Sequence, residues 1–485
     1  MAHSLSTAEA ALPPLVPGAY RKRIGLISII ACFGGLLFGY DTGVSNGAER
    51  PMQVQLGLSD LALGVVISSL IFAAAVGALF GGPLSDAWGR RKTIILLAVL
   101  FFVGTLCVVF SPSFGILVTG RILVGLGVGG ASTVVPVYLA EMAPYEIRGS
   151  ITGRNELAIV SGQLAAFVVN AIIGTAFGYV PGVWRFMFAV CALPAIALFF
   201  GMLRMPESPR WLAEKGRHDD ALAVLKTVRP RDRAIAEWGQ VERVVEEEQE
   251  EHWSGVRAVL ASKWLIRIVL VGIGISMTQQ LTGINSIMYY GQRVLIESGF
   301  TASAALIANI SAGVAAVIGG IIALYNMDRL DRRKTFMIGL SLTTTCHLLI
   351  GIASMLLPVG NSLRPYVLLF LVVAFVFSMQ TFLNIAVWVW LAEIFPLHMR
   401  GLGIGVAVLF GWTVNGLLAL YFPSLVDGIG ITGVFFMFAA IGAIALVFVI
   451  TQVPETRGRS LEALEEDVES GAIYNFRKAS PAPAR

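Results

Sequence analysis

Two ionisable residues stand where a charge is expensive. Asp41 lies in the apolar run Phe38-Gly-Tyr-Asp41-Thr-Gly, and Arg121 lies well within another apolar run. At the centre of a bilayer an aspartate costs about 2.5–3.5 kcal/mol on insertion scales. Protonation, or pairing with a cation, is therefore the favoured escape. Arg121 is the best-placed cation. Such a pair would make a switch, because protonating Asp41 breaks it and releases a conformational change. A fixed ion pair joining two helices is the other outcome open to the same residues.

A second constellation is neutral. Gln279, Gln280, Thr282, Asn285, Tyr289 and Tyr290 fall within twelve residues of one apolar stretch. At helical spacing Thr278, Thr282, Asn285 and Tyr289 form one stripe, with Gln279 beside it. Amides and a phenol both donate and accept hydrogen bonds, which suits the hydroxyls of a polyol. A single amide could equally bridge two helices, but six such groups predict a wet cavity. Gln163, Asn309, Asn384, Trp388, Trp412 and Asn415 stand singly in other apolar runs, and an aromatic such as Trp388 can stack on the apolar face of a ring. No lysine lies among them to receive an anion, so a small neutral polyol or sugar is the expected ligand. His347 is read as a packed helix-contact residue. Cys32, Cys107, Cys191 and Cys346 lie apart in apolar runs without ligand spacing, so neither a disulfide nor a metal is expected. No nucleophile–base pair or phosphate loop argues for an enzyme. A non-transporting sugar receptor would need an output module, and only about 30 residues follow the last apolar run.

The elements that position these groups follow from composition. Of 485 residues, 56% are hydrophobic and only 14% are charged, against about 25% charged in soluble domains. A spanning helix needs roughly 20 mainly apolar residues. Spans are predicted near 24–46, 61–83, 93–110, 114–140, 151–177, 184–203, 264–291, 302–326, 335–356, 365–392, 400–424 and 432–452. The expected fold is an all-α membrane protein of twelve helices in two six-helix bundles, 24–203 and 264–452. A cytoplasmic helical linker, 204–263, joins them, with helices over 211–228 and 235–251. Segments 1–23 and 453–485 are an N-terminus and a tail; no leader is expected to be removed, the first span serving as the insertion signal. With both ends inside, the short inner loops collect Arg90, Arg91, Lys92, Arg329, Arg332, Arg333 and Lys334, as the positive-inside rule requires.

The chain also repeats itself. Asp86-Ala-Trp-Gly-Arg-Arg-Lys-Thr93 returns as Asp328-Arg-Leu-Asp-Arg-Arg-Lys-Thr335. Leu139-Ala-Glu-Met-Ala-Pro-Tyr-Glu-Ile-Arg-Gly149 returns as Leu391-Ala-Glu-Ile-Phe-Pro-Leu-His-Met-Arg-Gly401, and Pro206-Glu-Ser-Pro-Arg210 as Pro454-Glu-Thr-Arg-Gly458. Three matches in register predict a duplication into six plus six helices. Bundles related by an axis along the membrane normal bind solute at the midplane between halves.

These motifs resemble sugar porters of the major facilitator superfamily over about residues 24–465. The loop Gly82-Pro-Leu-Ser-Asp86-Ala-Trp-Gly89-Arg90-Arg91 is similar to the superfamily signature, departing at Ala87, and Asp331 replaces a glycine in its second copy. Pro206-Glu-Ser-Pro-Arg210, Gln279-Gln280-Leu-Thr-Gly-Ile-Asn285 and Pro454-Glu-Thr456 resemble the sugar-porter branch in particular. The resemblance implies that Gln163, Gln279, Gln280, Asn285, Asn309, Trp388 and Asn415 contact the sugar. To these the residues themselves add Tyr289 and Asn384. Asp41 matches the aspartate of proton-coupled members, where similar facilitative carriers have asparagine. Asp86, Arg90, Arg91, Glu141, Arg148, Glu207, Arg332, Arg333, Glu393, Arg400 and Glu455 match an inner-face charge network that latches the halves in the outward-open state. Relatives carry Gly-Pro before the tryptophan of the tenth span. Here Asn384-Ile385-Ala-Val-Trp388 lacks the proline and should be less easily broken. The sequence is most similar to bacterial myo-inositol importers. The resemblance implies proton symport with no other cofactor, a functional monomer in a bacterial inner membrane, and no nucleic-acid partner. A hexose or pentose symporter and a facilitative sugar uniporter share the same fold.

Overall fold

The computed structural model describes residues 20–239, 262–326, 329–396, 399–457 and 461–474, with Pro13 and Gly18. Among the described residues all regular structure is helical. In a hydrocarbon solvent each backbone N–H and C=O must find a partner within its own segment, which a helix supplies. The first five spans are Tyr20–Leu56, Asp60–Trp88, Arg90–Val109, Phe114–Met142 and Arg148–Phe177, and the sixth joins Val183–Ala189 to Ala192–Leu203. The second half holds Lys263–Leu281 with Ile284–Glu297, then Ala302–Asn326 and Arg332–Leu356. The tenth span runs from Arg364–Ser378 through Met379–Asn384 to Ile385–Ile394. The run Arg400–Gln452 is divided at Gly430, whose φ of 67° breaks the helical path, so it carries the eleventh and twelfth spans. Large apolar side chains such as Phe80, Phe110, Phe370 and Ile444 stand exposed on the outside of the bundles, where lipid is their natural contact.

Several elements differ from the sequence reading, each for a local reason. The first helix continues past 46 to Leu56, with Pro51 inside it, because Asn46 and Glu49, which look like span-ending residues, are buried in the protein interior. The seventh span is not continuous. Gly283 adopts φ 78° and Tyr290 has non-helical angles, so the Thr278–Tyr289 stripe is not one helix face. The tenth span is unbroken but π-helical over Met379–Asn384. The linker helix expected over 211–228 is two, Pro209–Glu214 and His218–Val228, separated at Gly216 with φ 70°. Helix continues over 231–239, and the acidic run 246–251 lies outside the described residues.

Glycine spacing sets the register between the first and fifth spans. Gly35, Gly39, Gly43 and Gly47 recur every fourth residue and meet Asn155, Ile159, Gln163 and Asn170 in turn. A methyl group at Gly39 would overlap the Ile159 carbonyl. Small residues at this spacing let helix backbones approach closely, and here they bring Gln163 against the turn that carries Asp41. Asn170 fixes the match by donating to the carbonyls of Gly43 (3.0 Å) and Val44 (3.2 Å).

The repeat is also a repeat of geometry. Arg90 donates to both oxygens of Glu141 at 3.1 and 3.0 Å, and Arg332 donates to both oxygens of Glu393 at 3.3 and 2.8 Å. Glu207 accepts from the Arg91 backbone at 3.0 Å, as Glu455 does from the Arg332 and Arg333 backbones at 2.9 and 3.0 Å. Arg91 and Arg333 each cap the end of the last helix of their own bundle, at Leu203 and Ile450. Tyr138 and Trp390 donate to the carbonyls of Pro206 and Pro454.

Candidate functional site

Polar residues of the two halves meet where the first, seventh and eleventh spans come together. Asp41 and Arg121 are 2% and 0% exposed, and Arg121 Nη1 donates to Asp41 Oδ1 at 2.9 Å. The guanidinium also donates to Ser45 Oγ at 3.2 Å and to the Val66 carbonyl at 3.4 Å, with the Phe188 ring at 5.5 Å. Asp41 Oδ2 is buried with no hydrogen-bond partner. The carboxylate thus has one oxygen on the cation and one lone-pair face left for a proton.

Tyr289 connects this pair to the second half. It is 1% exposed and stands beside Thr42 of the first span and Asn415 of the eleventh, within electrostatic reach of Asp41 and Arg121. Next to it the amides form a chain. Gln279 donates to Asn384 Oδ1 at 3.0 Å, Gln280 donates to Gln279 Oε1 at 3.4 Å, and Asn285 donates to Gln280 Oε1 at 2.7 Å. The π-helical turn is what presents Asn384 to Gln279, a use of π geometry common at functional sites. Gln280, Asn285, Asn384 and Trp388 are only partly buried, whereas Gln163 and Asn415 are buried, and Gln163 Oε1 has no partner among the described residues. Phe38 of the first half stacks on Trp412 of the second at 5.5 Å.

Three of the expected cavity residues are bonded within the protein, Tyr290 among them through the Ala419 carbonyl. Thr282 turns to the Gln279 carbonyl at 2.7 Å and to Met379 Sδ at 3.7 Å. Asn309 donates to Asn46 Oδ1 at 2.6 Å. Asn46 itself was not singled out in the sequence, although an asparagine five residues after Asp41 in one apolar helix is a signal of the same kind. Its amide donates to the carbonyls of Ile287 (3.2 Å) and Met288 (3.0 Å), and its oxygen also accepts from the Gln292 backbone at 2.8 Å. His347 packs among Phe375, Phe435 and Phe438.

The face opposite the linker is shut. Besides Asn46, Arg293 of the seventh span bridges Asp60 of the first half (3.0 Å) and Asp427 of the second (2.6 Å). Tyr290 donates to the Ala419 carbonyl at 2.7 Å and stacks on Phe422. Gly64 of the second span lies against the Leu420 carbonyl of the eleventh. On the linker face, the pairs Arg90–Glu141 and Arg332–Glu393 each close within one half. Asp86 is exposed and pairs with Arg90 at 2.7 Å. Arg148, exposed at the start of the fifth span, has no ion pair among the described residues, and the Arg400 side chain lies outside them. Asp331 is held by Lys334 at 2.7 Å and Arg457 at 3.1 Å, and these partners keep its carboxyl below the usual carboxylate range. The linker docks on the first half: Arg233 donates to Glu146 at 2.9 Å, and Arg229 to the Met142 carbonyl at 2.9 Å.

Known proteins resemble this chain in sequence and in fold. The chain is 49% identical over 443 residues to the major myo-inositol transporter IolT of Bacillus subtilis, covering 91% of this chain and 93% of that one. Its fold is similar to the partially occluded inward-open form of the xylose transporter XylE from E. coli, with a TM-score of 0.79 at 27% identity, covering 90% and 100% of the two chains. The proton:xylose symporter XylE bound to 6-bromo-6-deoxy-D-glucose is similar with a TM-score of 0.76 at 27% identity, over 92% and 99%. A family model described as sugar (and other) transporter matches residues 27–468, so twelve spans, a repeated charge motif and a polar cluster between the halves share one explanation: the chain belongs to the sugar transporter family.

Proposed function

We propose that this protein imports myo-inositol, or a closely related neutral polyol, together with a proton by alternating access. The observation that carries the reading is the buried Asp41–Arg121 pair, joined through Tyr289 to the amides of the second half. Solute held by Gln279, Gln280, Asn285, Asn384 and Asn415 draws the halves together on that tyrosine, and the protonation state of Asp41 decides whether Arg121 is held. Gln163 adds an unpaired acceptor from the first half, and Trp388 an aromatic face for the ring. The proton is the coupling ion and no other cofactor takes part.

The solute rests on likeness to IolT; the coupling rests on Asp41 and on likeness to a proton:xylose symporter. The linker face is cytoplasmic, by the concentration of Arg and Lys there, as are both termini, and the membrane is a bacterial inner membrane in which the monomer works. On this orientation the structure is closed outside, in keeping with its likeness to an inward-open form. A pentose or hexose carrier is the second reading, favoured by the likeness to XylE.

The test is external pH in a weakly buffered, de-energised suspension of expressing cells, given myo-inositol, glucose, fructose or xylose in separate runs. Alkalinisation on myo-inositol, lost in Asp41→Asn cells, supports solute and coupling together. Alkalinisation only on a hexose or pentose overturns the solute. Labelled uptake without any pH change overturns the coupling.

A further inference from the structure

A second acid of the first span is buried near the closed face. Glu49 lies on the first span, 2% exposed, with Oε2 buried and without a hydrogen-bond partner. The charged groups facing it are Arg293 of the seventh span, Arg50 beside it and Asp60 of the second span, and Tyr290 lies within reach. Arg293 already has two carboxylates, Asp60 at 3.0 Å and Asp427 at 2.6 Å. Arg293 is therefore fully engaged without a third. An almost fully buried acid that the latch does not need is a functional residue by default in a membrane protein.

Its position suggests the function. Asp41, Ser45 and Glu49 are successive fourth residues of one helix, so they form an inclined stripe. Eight residues rise about 12 Å from Asp41 toward the closed face. Ser45 stands between the two acids, its hydroxyl donating to the backbone carbonyl of Asp41 at 3.1 Å and accepting from Arg121 at 3.2 Å. A hydroxyl both donates and accepts, so it can take a proton on one side and release its own on the other. At each end of the stripe one carboxylate oxygen, Glu49 Oε2 and Asp41 Oδ2, is buried with no partner.

We propose that Glu49 is the proton-loading residue of the transport cycle, taking the coupling proton on the closed face and handing it along the first span to Asp41. This rests on the proton-coupled reading above. The O–H bond at Glu49 breaks as one forms at Asp41 Oδ2, with Ser45 and bridging water exchanging one proton for another and no net change between them. When the halves part on this face, Arg293 and Asp427 leave with the second half while Glu49 and Asp60 stay with the first. Glu49, freed of the cation, takes a proton from outside water. Closure returns Arg293 and drives that proton inward.

The test is the initial rate of labelled myo-inositol uptake against external pH for wild type, Glu49→Gln, Glu49→Asp and Ser45→Ala, with solute-induced alkalinisation recorded in the same cells. Glu49→Gln should move half-activation about one pH unit toward acid, slowing uptake about tenfold near pH 8 while acid restores much of it. Glu49→Asp should recover most of the wild-type profile, and Ser45→Ala should shift it in the same direction by less. A wild-type profile in both Glu49→Gln and Ser45→Ala overturns the proposal. So does a loss equal at all pH values that Glu49→Asp fails to rescue, since that marks a structural role. If Glu49→Gln does not reach the membrane, Ser45→Ala decides by the same criterion. Wild-type uptake without alkalinisation removes the coupled reading and this one together, whereas unchanged variant profiles in an alkalinising carrier remove this one alone.

Discussion

Replacing Asn46 with alanine should open the face that the structure shows shut. The Asn46 side chain makes four hydrogen bonds to the second half: to the carbonyls of Ile287 and Met288, from the Gln292 backbone and from Asn309. At about 0.5–1.5 kcal/mol net for each, their loss costs the closed state about 2–6 kcal/mol. The lower bound is already about a 30-fold change in the open-to-closed ratio. The partners left behind are buried and unsatisfied when the face is shut, and water satisfies them when it opens, so the sign is fixed. The assay is labelling by a membrane-impermeant maleimide of a cysteine placed at Leu295, which is 1% exposed on the seventh span. It is run with Cys32, Cys107, Cys191 and Cys346 replaced by serine. While the open fraction is small, the labelling rate is proportional to it, and should rise about 30-fold or to saturation. An unchanged rate in a folded Asn46→Ala protein would refute the idea that these bonds hold the halves together.

Other expectations follow from the site. Asp41→Asn removes the charge that holds Arg121 at 2.9 Å while keeping the shape of a protonated acid; a charge-assisted bond is worth about 1.5–3 kcal/mol, and uphill accumulation should vanish while solute counterflow continues. Gln280→Ala removes a donor to Gln279 and the acceptor of Asn285; at about 0.5–1.5 kcal/mol per bond, the KM for uptake should rise about two- to tenfold per bond lost. Asp331 has its carboxyl held below its ordinary value by Lys334 and Arg457, so the stability it lends is present above about pH 4 and lost as pH falls through the lowered value. Denaturant unfolding of Asp331→Asn should therefore match wild type at the acid end and fall slightly below it at neutral pH.

Much of this molecule was legible in its sequence, for identifiable reasons. Apolar length gave the helices, and the matched motifs gave the two halves, because both are properties of single segments. The pairing of Asp41 with Arg121 was legible because two charges in separate apolar runs have few other escapes. What escaped was set by contacts between segments. Asn46 and Glu49 read as the end of a span because their burial comes from the seventh helix across the interface. The stripe through Thr278, Thr282, Asn285 and Tyr289 assumed a straight helix, and the left-handed conformation of Gly283 broke it. The bond from Asn309 to Asn46 joins the eighth span to the first and is visible only once those helices are packed. The glycine ladder from Gly35 to Gly47 was present in the sequence, but its partner on the fifth span is visible only once the helices are packed.

The central claim is that solute and proton cross together. Purified protein in sealed liposomes, given an external pH one unit below the internal one and labelled myo-inositol outside, tests it directly. With the membrane potential clamped near zero by potassium and valinomycin, so that the charge moved is compensated, proton-coupled import at one proton per solute predicts accumulation approaching about tenfold inside over outside, the equivalent of one pH unit, collapsing on addition of a protonophore. Saturable uptake that halts at equal concentrations on the two sides, with or without the gradient, would contradict it.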